Sequence, residues 1–247
     1  MSIYAIADLH LSYGTNKPMN IFGNVWEEYE EKLKRNWISK IKDTDTVLLP
    51  GDFSWGISLE ESLKDFEFIN NLPGRKILLK GNHDYWWTTL KKMNKFIADN
   101  GLKDIEFLYN NAIECEEYII VGTRGWTFLE NEENNKIIAR ELIRLENSIQ
   151  AGKKLYGNEK EMICIIHYPP VVKGNLETSK FIELMNKYNI KKCFYGHLHG
   201  HSHEERIEGI VNNVELKLIS SDFIKFDPVK IIWQRTTNKY KIMENNL

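Results

Sequence analysis

Lys76-Ile77-Leu78-Leu79-Lys80 runs directly into Gly81-Asn82-His83-Asp84. The first five residues form an apolar stretch of strand length, and the next four are small or polar, the mark of a buried strand that ends in a loop. In succession that loop presents an amide, an imidazole and a carboxylate. Working outward, the same pattern recurs along the chain. Apolar runs at 3–7, 46–50, 118–121, 162–166 and 192–195 end in Asp8-Leu9-His10, Gly51-Asp52, Gly122-Thr123-Arg124-Gly125, His167 and Gly196-His197-Leu198-His199.

Between these runs lie segments with helical spacing. Trp26, Tyr29, Leu33, Trp37 and Ile41 form one apolar stripe with Glu, Lys and Arg between its members, which predicts a core-facing helix. Further helices are expected near 59–70, 85–100, 133–151 and 177–188. Alternation of strand and helix predicts an α/β layered fold. Toward the C-terminus, 206–211, 214–219 and 229–233 follow one another with no room for helices, and Asn212-Asn213 reads as a hairpin turn. The sheet system is therefore expected to be mixed. No repeat, low-complexity tract or Pro/Gly-rich linker interrupts the 247 residues, so one domain over 1–247 is the expectation.

Composition narrows the class. Hydrophobic residues make up 42% of the chain and aromatics 12%, including seven Trp, which is ample for a large core. The net charge of -2 is spread without long blocks of either sign, against a nucleic-acid or membrane-surface binder. No window reaches the roughly 18 apolar residues of a membrane span and no signal segment is present, so a cytoplasmic protein is expected. Cys115, Cys164 and Cys193 form no C-x-x-C pair, and Cys164 and Cys193 lie in apolar runs, which predicts buried reduced thiols.

Ligands in open α/β sheets bind beyond the carboxyl ends of strands, so polar clusters far apart in sequence are expected to converge there. Any one of them has an ordinary explanation. Asp52 suits a turn, Asp84 suits the cap of a following helix, and a histidine after an apolar run is usually a satisfied core residue. Together they gather five of the seven histidines with carboxylates and an amide oxygen, a donor mixture suited to divalent first-row metals. Residues two apart on an extended segment point the same way, so Asp8 and His10, or His197 and His199, can address one metal site or two neighbouring ones. A structural metal site would be closed and rich in thiolate, which this set is not.

The ordered series D-x-H, G-D, G-N-H-D, H and G-H-x-H, from Asp8 to His199, resembles the calcineurin-like metallophosphoesterase superfamily. The resemblance implies two facing mixed sheets flanked by helices. It implies one divalent ion held by Asp8, His10, Asp52 and His199 and a second held by Asp52, Asn82, His167 and His197, with Asp52 bridging. The implied activity is hydrolysis of a phosphate monoester or diester, with a hydroxide available near neutral pH because the ions lower the pKa of a bound water. His83 is expected as general acid, or as an outer-shell hydrogen-bond donor, with Asp84 holding its imidazole. Mn, Fe, Zn, Co and Ni all suit such ligands.

Other residues are read on their own terms. Arg124, between Gly122 and Gly125, is a candidate for phosphate binding, against the alternative of an exposed turn residue. Trp55, Trp126 and Tyr85-Trp86-Trp87 either wall a pocket or fill the core, and His201 and His203 belong to the surface or a substrate loop. After Asp52 the chain reads Phe53-Ser54-Trp55-Gly56, without the Asp-Arg-Gly of the protein serine/threonine phosphatase branch, which argues against a dedicated phosphoprotein phosphatase. A scaffold of the same fold should have lost ligands or the motif histidine, and a nuclease should carry a basic stripe. Neither feature is seen.

Overall fold

A computed structural model describes residues 1–127, 131–157, 159–173 and 179–231. Four parallel strands, β1 (Ile3–Ala5), β2 (Thr46–Pro50), β3 (Arg75–Leu79) and β4 (Ile105–Leu108), lie side by side in chain order. The crossovers between them carry α1 (Tyr29–Lys40), α2 (Leu63–Asn70) and α3 (Leu90–Asp99), as parallel pairing requires. A second sheet follows: β5 (Ile113–Cys115), β6 (Tyr118–Thr123), β7 (Glu161–Ile166) and β8 (Lys192–Tyr195), then β9 (Gly209–Val211) and β10 (Val214–Leu218), in the order β5-β6-β7-β8-β10-β9. Its inner strands are parallel and both edges are antiparallel. Helices α4 (Glu132–Tyr156) and α5 (Lys180–Lys187) link β6 to β7 and β7 to β8, and β11 (Val229–Lys230) returns to pair antiparallel with β1.

The layering follows from the period-two alternation of strand side chains. Along residues 3–7, Ile3, Ala5 and Ala7 face one core while Tyr4 and Ile6 face another. Ile120 of β6, Ile163 and Ile165 of β7 and Phe194 of β8 join the first group, so the inner faces of the two sheets share one interior. The outer face of the first sheet packs on the stripe of α1, where Leu33 and Trp37 are fully buried. That of the second sheet packs on Leu145 and Ile149 of α4 and Phe181 and Met185 of α5. The result is an α/β sandwich of two mixed sheets between helices, as expected.

Several boundaries differ from the sequence reading, each for a local reason. The predicted helix at 26–41 begins only at Tyr29, because Glu28 sits at φ 50, where an α-helix cannot propagate. Asn24–Trp26 form a separate 3-10 turn instead. The helix expected at 85–100 starts at Leu90, capped by the Thr89 hydroxyl, while Trp86 and Trp87 are buried against Phe107. The helix expected at 59–70 starts at Leu63, and α4 extends past 133–151 at both ends. Residues 177–178 and 232–233 of the predicted C-terminal elements lie outside the described residues. Of 206–211 only β9 is a strand, preceded by a 3-10 turn over Gly200–Glu205. The edge strands β4 and β5 were not predicted. Asn212 and Asn213, at φ 44 and 67, form the expected two-residue hairpin turn.

The three cysteines are buried and free. Among the described residues no helix is long and apolar enough to cross a membrane.

Candidate metal centre

Both sheets direct the carboxyl ends of their parallel strands to the same edge. Ala7 bridges to Ser220 beyond β10, and its N–H donates to the Ile219 carbonyl at 2.9 Å, which joins the end of β1 to the second sheet. Asp8 and His10 follow β1, Asp52 follows β2, Asn82 follows β3, His167 follows β7, and His197 and His199 follow β8. At this edge the backbone leaves the extended conformation: Asp8, His10, Asp52 and His197 take φ of 61, 46, 53 and 74. The left-handed region costs a residue with a Cβ roughly 1–2 kcal/mol, so four of the seven candidate ligands are held in disfavoured conformations by their surroundings. The motif glycines have a packing reason. A Cβ on Gly81 would lie 2.1 Å from Asp52 Oδ1, and one on Gly196 would lie 2.4 Å from Asp8 Oδ2.

The side chains form two adjoining groups. In one, His10 Nε2 and His199 Nε2 are 3.3 Å apart and Asp8 Oδ1 is 3.6 Å from His199 Nε2. In the other, Asn82 Oδ1 lies 2.7 Å from His167 Nε2 and 2.9 Å from His197 Nδ1. Asp52 Oδ2 stands between them, 3.4 Å from His167 Nε2 and 3.8 Å from His10 Nε2. The seven residues named from sequence thus meet at one place, with Asp52 at the junction.

Asp8 and Asp52 are buried, and among the described residues their partners within 4.0 Å are histidines, with no Lys or Arg. Burial raises the Asp52 pKa well above the carboxylate range, and repulsion from Asp84 and Asp8 adds to this. Burial lowers His167 and His197 to about 3 and also takes His10 well below its ordinary value, so these imidazoles are neutral and keep a free lone pair. For His199 burial acts downward, but Asp8 and Asp222 outweigh it and push the value to about 10. Buried carboxylates with no Lys or Arg beside them, facing the neutral imidazoles of His10, His167 and His197 and an amide oxygen, are a set that divalent ions would satisfy, with His199 giving up its extra proton as an ion binds. The groups Asp8-His10-His199 and Asp52-His167-His197 each bring three donor atoms within 4.8 Å of one another.

Comparison with known proteins agrees with this geometry. The calcineurin-like phosphoesterase family matches residues 1–201. The chain belongs to that family. The Gene 66 protein of Mycobacterium phage L5 is 33% identical over 78 residues, 32% of this chain and 37% of that protein. An uncharacterised protein of Methanocaldococcus jannaschii is 33% identical over 87 residues, 33% of this chain and 46% of that one. The chain therefore spans less than half the length of either relative. Phosphopantetheinyl hydrolase from Mycobacterium tuberculosis shares the fold, with a TM-score of 0.56 at 11% identity over 97% of this chain and 98% of that one.

Within this family member, the sequence assignment of Asp84 changes. Asp84 does not hold the His83 imidazole, nor does it cap a helix. Its carboxylate accepts the N–H groups of Asp52 at 2.9 Å, Phe53 at 2.9 Å, Ser54 at 3.3 Å and Gly81 at 2.7 Å, together with the Trp86 indole at 3.1 Å. With both oxygens occupied it ties the loop after β2 to the loop after β3, and so fixes Asp52 beside Asn82. His83 is placed by its backbone N–H, which donates to Asp52 Oδ1 at 2.8 Å, and by Trp55, 4.6 Å away between ring centroids. Its Nδ1 is buried without a partner.

Arg124 is engaged by an aromatic ring and a buried carboxylate. Its guanidinium lies 4.4 Å over the Trp126 ring and 3.5 Å from Glu141 Oε1 of α4. Glu141 is fully buried, and it also accepts from Thr123 Oγ1 at 2.7 Å and Arg144 at 2.7 Å. A buried carboxylate demands such cations, and Arg124 helps to meet that demand, while its Nε is buried without a hydrogen-bond partner.

Three further groups support the ligands: Trp55, read above as pocket wall or core, and two that the sequence reading missed. Asp222 Oδ1 is 2.9 Å from His199 Nδ1 and 3.2 Å from His203 Nε2, and Oδ2 accepts the Gly200 N–H at 3.0 Å. The Pro50 carbonyl, 3.1 Å from His167 Nδ1, accepts the hydrogen bond of an Nδ1–H and leaves Nε2 with its lone pair for a metal. Trp55 stacks on His10 at 4.9 Å. For Asp222 the available signal was position, a carboxylate just past the end of a predicted strand at 214–219.

Proposed function

We propose that this chain hydrolyses a phosphate monoester or diester at a pair of divalent ions, one held by Asp8, His10, Asp52 and His199 and the other by Asp52, Asn82, His167 and His197. The observation that carries the reading is Asp52 Oδ2, placed between the two groups within 4 Å of an imidazole nitrogen of each. Two ions held in this way supply Lewis acidity at the phosphoryl oxygens and lower the pKa of a bound water. The chain itself supplies orientation: Asp84 fixes Asp52, Pro50 fixes the His167 tautomer, and Asp222 fixes His199. His83 lines the cavity beside the first group, with its ring 5.6 Å from that of His10 between centroids. From there it donates a proton or hydrogen bond to the departing ester oxygen. In balance, water adds at phosphorus and loses a proton, the P–O bond to the alcohol breaks, and the alcohol oxygen leaves protonated.

The test is hydrolysis of an aryl phosphate monoester and diester by metal-free protein with Mn added or withheld, alongside His83→Ala and Asp52→Asn. Turnover that needs Mn and collapses in both variants is expected, and the monoester to diester ratio assigns the ester class. Folded protein that takes up no divalent ion would overturn the reading.

A further inference from the structure

Beside the first ligand group is a cavity of about 360 Å³, and its walls differ in character. One wall is chemical: His10, His83, His199 and Asp222. The other is apolar: Met19, Phe22, Val25, Trp26 and Trp55. The apolar wall comes mainly from the two 3-10 turns Met19–Phe22 and Asn24–Trp26, which precede α1. Met19 and Trp26 are buried and anchor the turns, with Met19 Sδ accepting the Trp55 indole N–H at 3.1 Å. Phe22 and Val25 are instead 63% and 42% exposed, and neighbouring Ile21 is 73% exposed. Large apolar side chains left on the rim of a polar site are costly to solvate and mark a contact surface.

We propose that this wall receives the organic group of the phosphate ester and that the group is apolar. The inference rests on the hydrolase reading and adds the substrate class. Continuity identifies the occupant: His83, which faces the departing oxygen, lines the same cavity as Phe22 and Val25, so whatever that oxygen carries lies against them. Charge narrows it further. Among the described residues no Lys or Arg lines the cavity, and its one carboxylate, Asp222, is already engaged by His199, His203 and the Gly200 N–H, so the walls hold no free cation for a second phosphate. Lys17 lies outside the lining, 5.1 Å over the Trp55 ring. A hydrocarbon or aryl alcohol fits these walls, and a polyphosphate or nucleotide does not.

The test compares esters whose leaving alcohols are similar in acidity, ethyl phosphate and 3-phenylpropyl phosphate, with Mn-loaded protein. A preference of at least about tenfold in kcat/KM for the phenylpropyl ester is expected, the scale on which an apolar pocket discriminates. Phe22→Ser and Val25→Ser change exposed side chains and spare the core; each should cut that preference roughly fivefold. Calorimetry with the unhydrolysable 4-phenylbutylphosphonate and ethylphosphonate reads binding apart from turnover. Equal hydrolysis of both esters, equal binding of both phosphonates, or a preference for AMP would overturn the proposal while leaving the hydrolase reading intact. Selective phosphonate binding without hydrolysis of any ester would keep the pocket and remove the hydrolase.

Discussion

Asp222 pairs with His199 among the proposed ligands, and it decides which way that imidazole faces. A carboxylate on Nδ1 turns Nε2 toward His10 and Asp8, and partners of this kind typically govern metal affinity 10- to 100-fold. Asp222→Asn is expected to weaken the first divalent ion by about tenfold, measured by competition against a chromophoric chelator; wild-type affinity would mean that His199 needs no such partner. Asp84 acts on the backbone. Asp84→Ala leaves five buried N–H groups, four of the backbone and the Trp86 indole, without their acceptor, and should lower stability by about 3 kcal/mol or more in urea denaturation. A residue that served only His83 would leave the midpoint unmoved. The ligands themselves were legible because imidazole, carboxylate and amide recur at strand ends with fixed spacing. The role of Asp84 was not, because it depends on which amides of a loop some thirty positions away fold back toward it.

Among the elements, β3 shows how an internal charge is carried. Lys76 is 2% exposed and donates through Nζ to the Leu72 carbonyl, and burial lowers its pKa from 10.5 to about 8 against the opposing pull of Asp104 and Asp43. Because the folded value lies below the unfolded one, the unfolded chain binds more protons between these values. Stability therefore rises as pH rises from about 8 toward 10.5, and the penalty is fully present below about 8. Lys76→Met removes the buried charge, so it should raise stability at pH 7. That gain should shrink in urea titrations repeated at pH 10, and a pH-independent difference would contradict the assignment. Strands β4 and β5 escaped the sequence reading because each is a short edge strand with a single outward Glu, Glu106 or Glu114, too little alternation to register. The late start of α1 was equally hidden, since the apolar stripe from Trp26 to Ile41 is unbroken in sequence and only the backbone at Glu28 interrupts it.

For the molecule as a whole, the proposed ions join the two sheets. The first group takes Asp8 and His10 from the first sheet and His199 from the second; the other takes Asp52 and Asn82 from the first and His167 and His197 from the second. Each ion that binds only this folded arrangement at about 100 times its Kd adds roughly 2.7 kcal/mol, so chelating both should lower Tm by about 10–20 °C for a chain of this size. Scanning calorimetry with and without chelator checks this, and an unchanged Tm would detach the ions from the fold. The overall sandwich was legible from alternating runs and helical stripes, whereas the closure of the first sheet was not. That closure joins Tyr4 to Lys230 and Ala5 to Val229. During synthesis β1 is made long before its antiparallel neighbour, so one edge of the nascent sheet must wait, unpaired, for nearly the whole described chain to emerge. A product truncated after residue 227 would carry every proposed ligand and still display a bare strand edge to other copies of itself, so its failure would be one of self-association before it was one of chemistry.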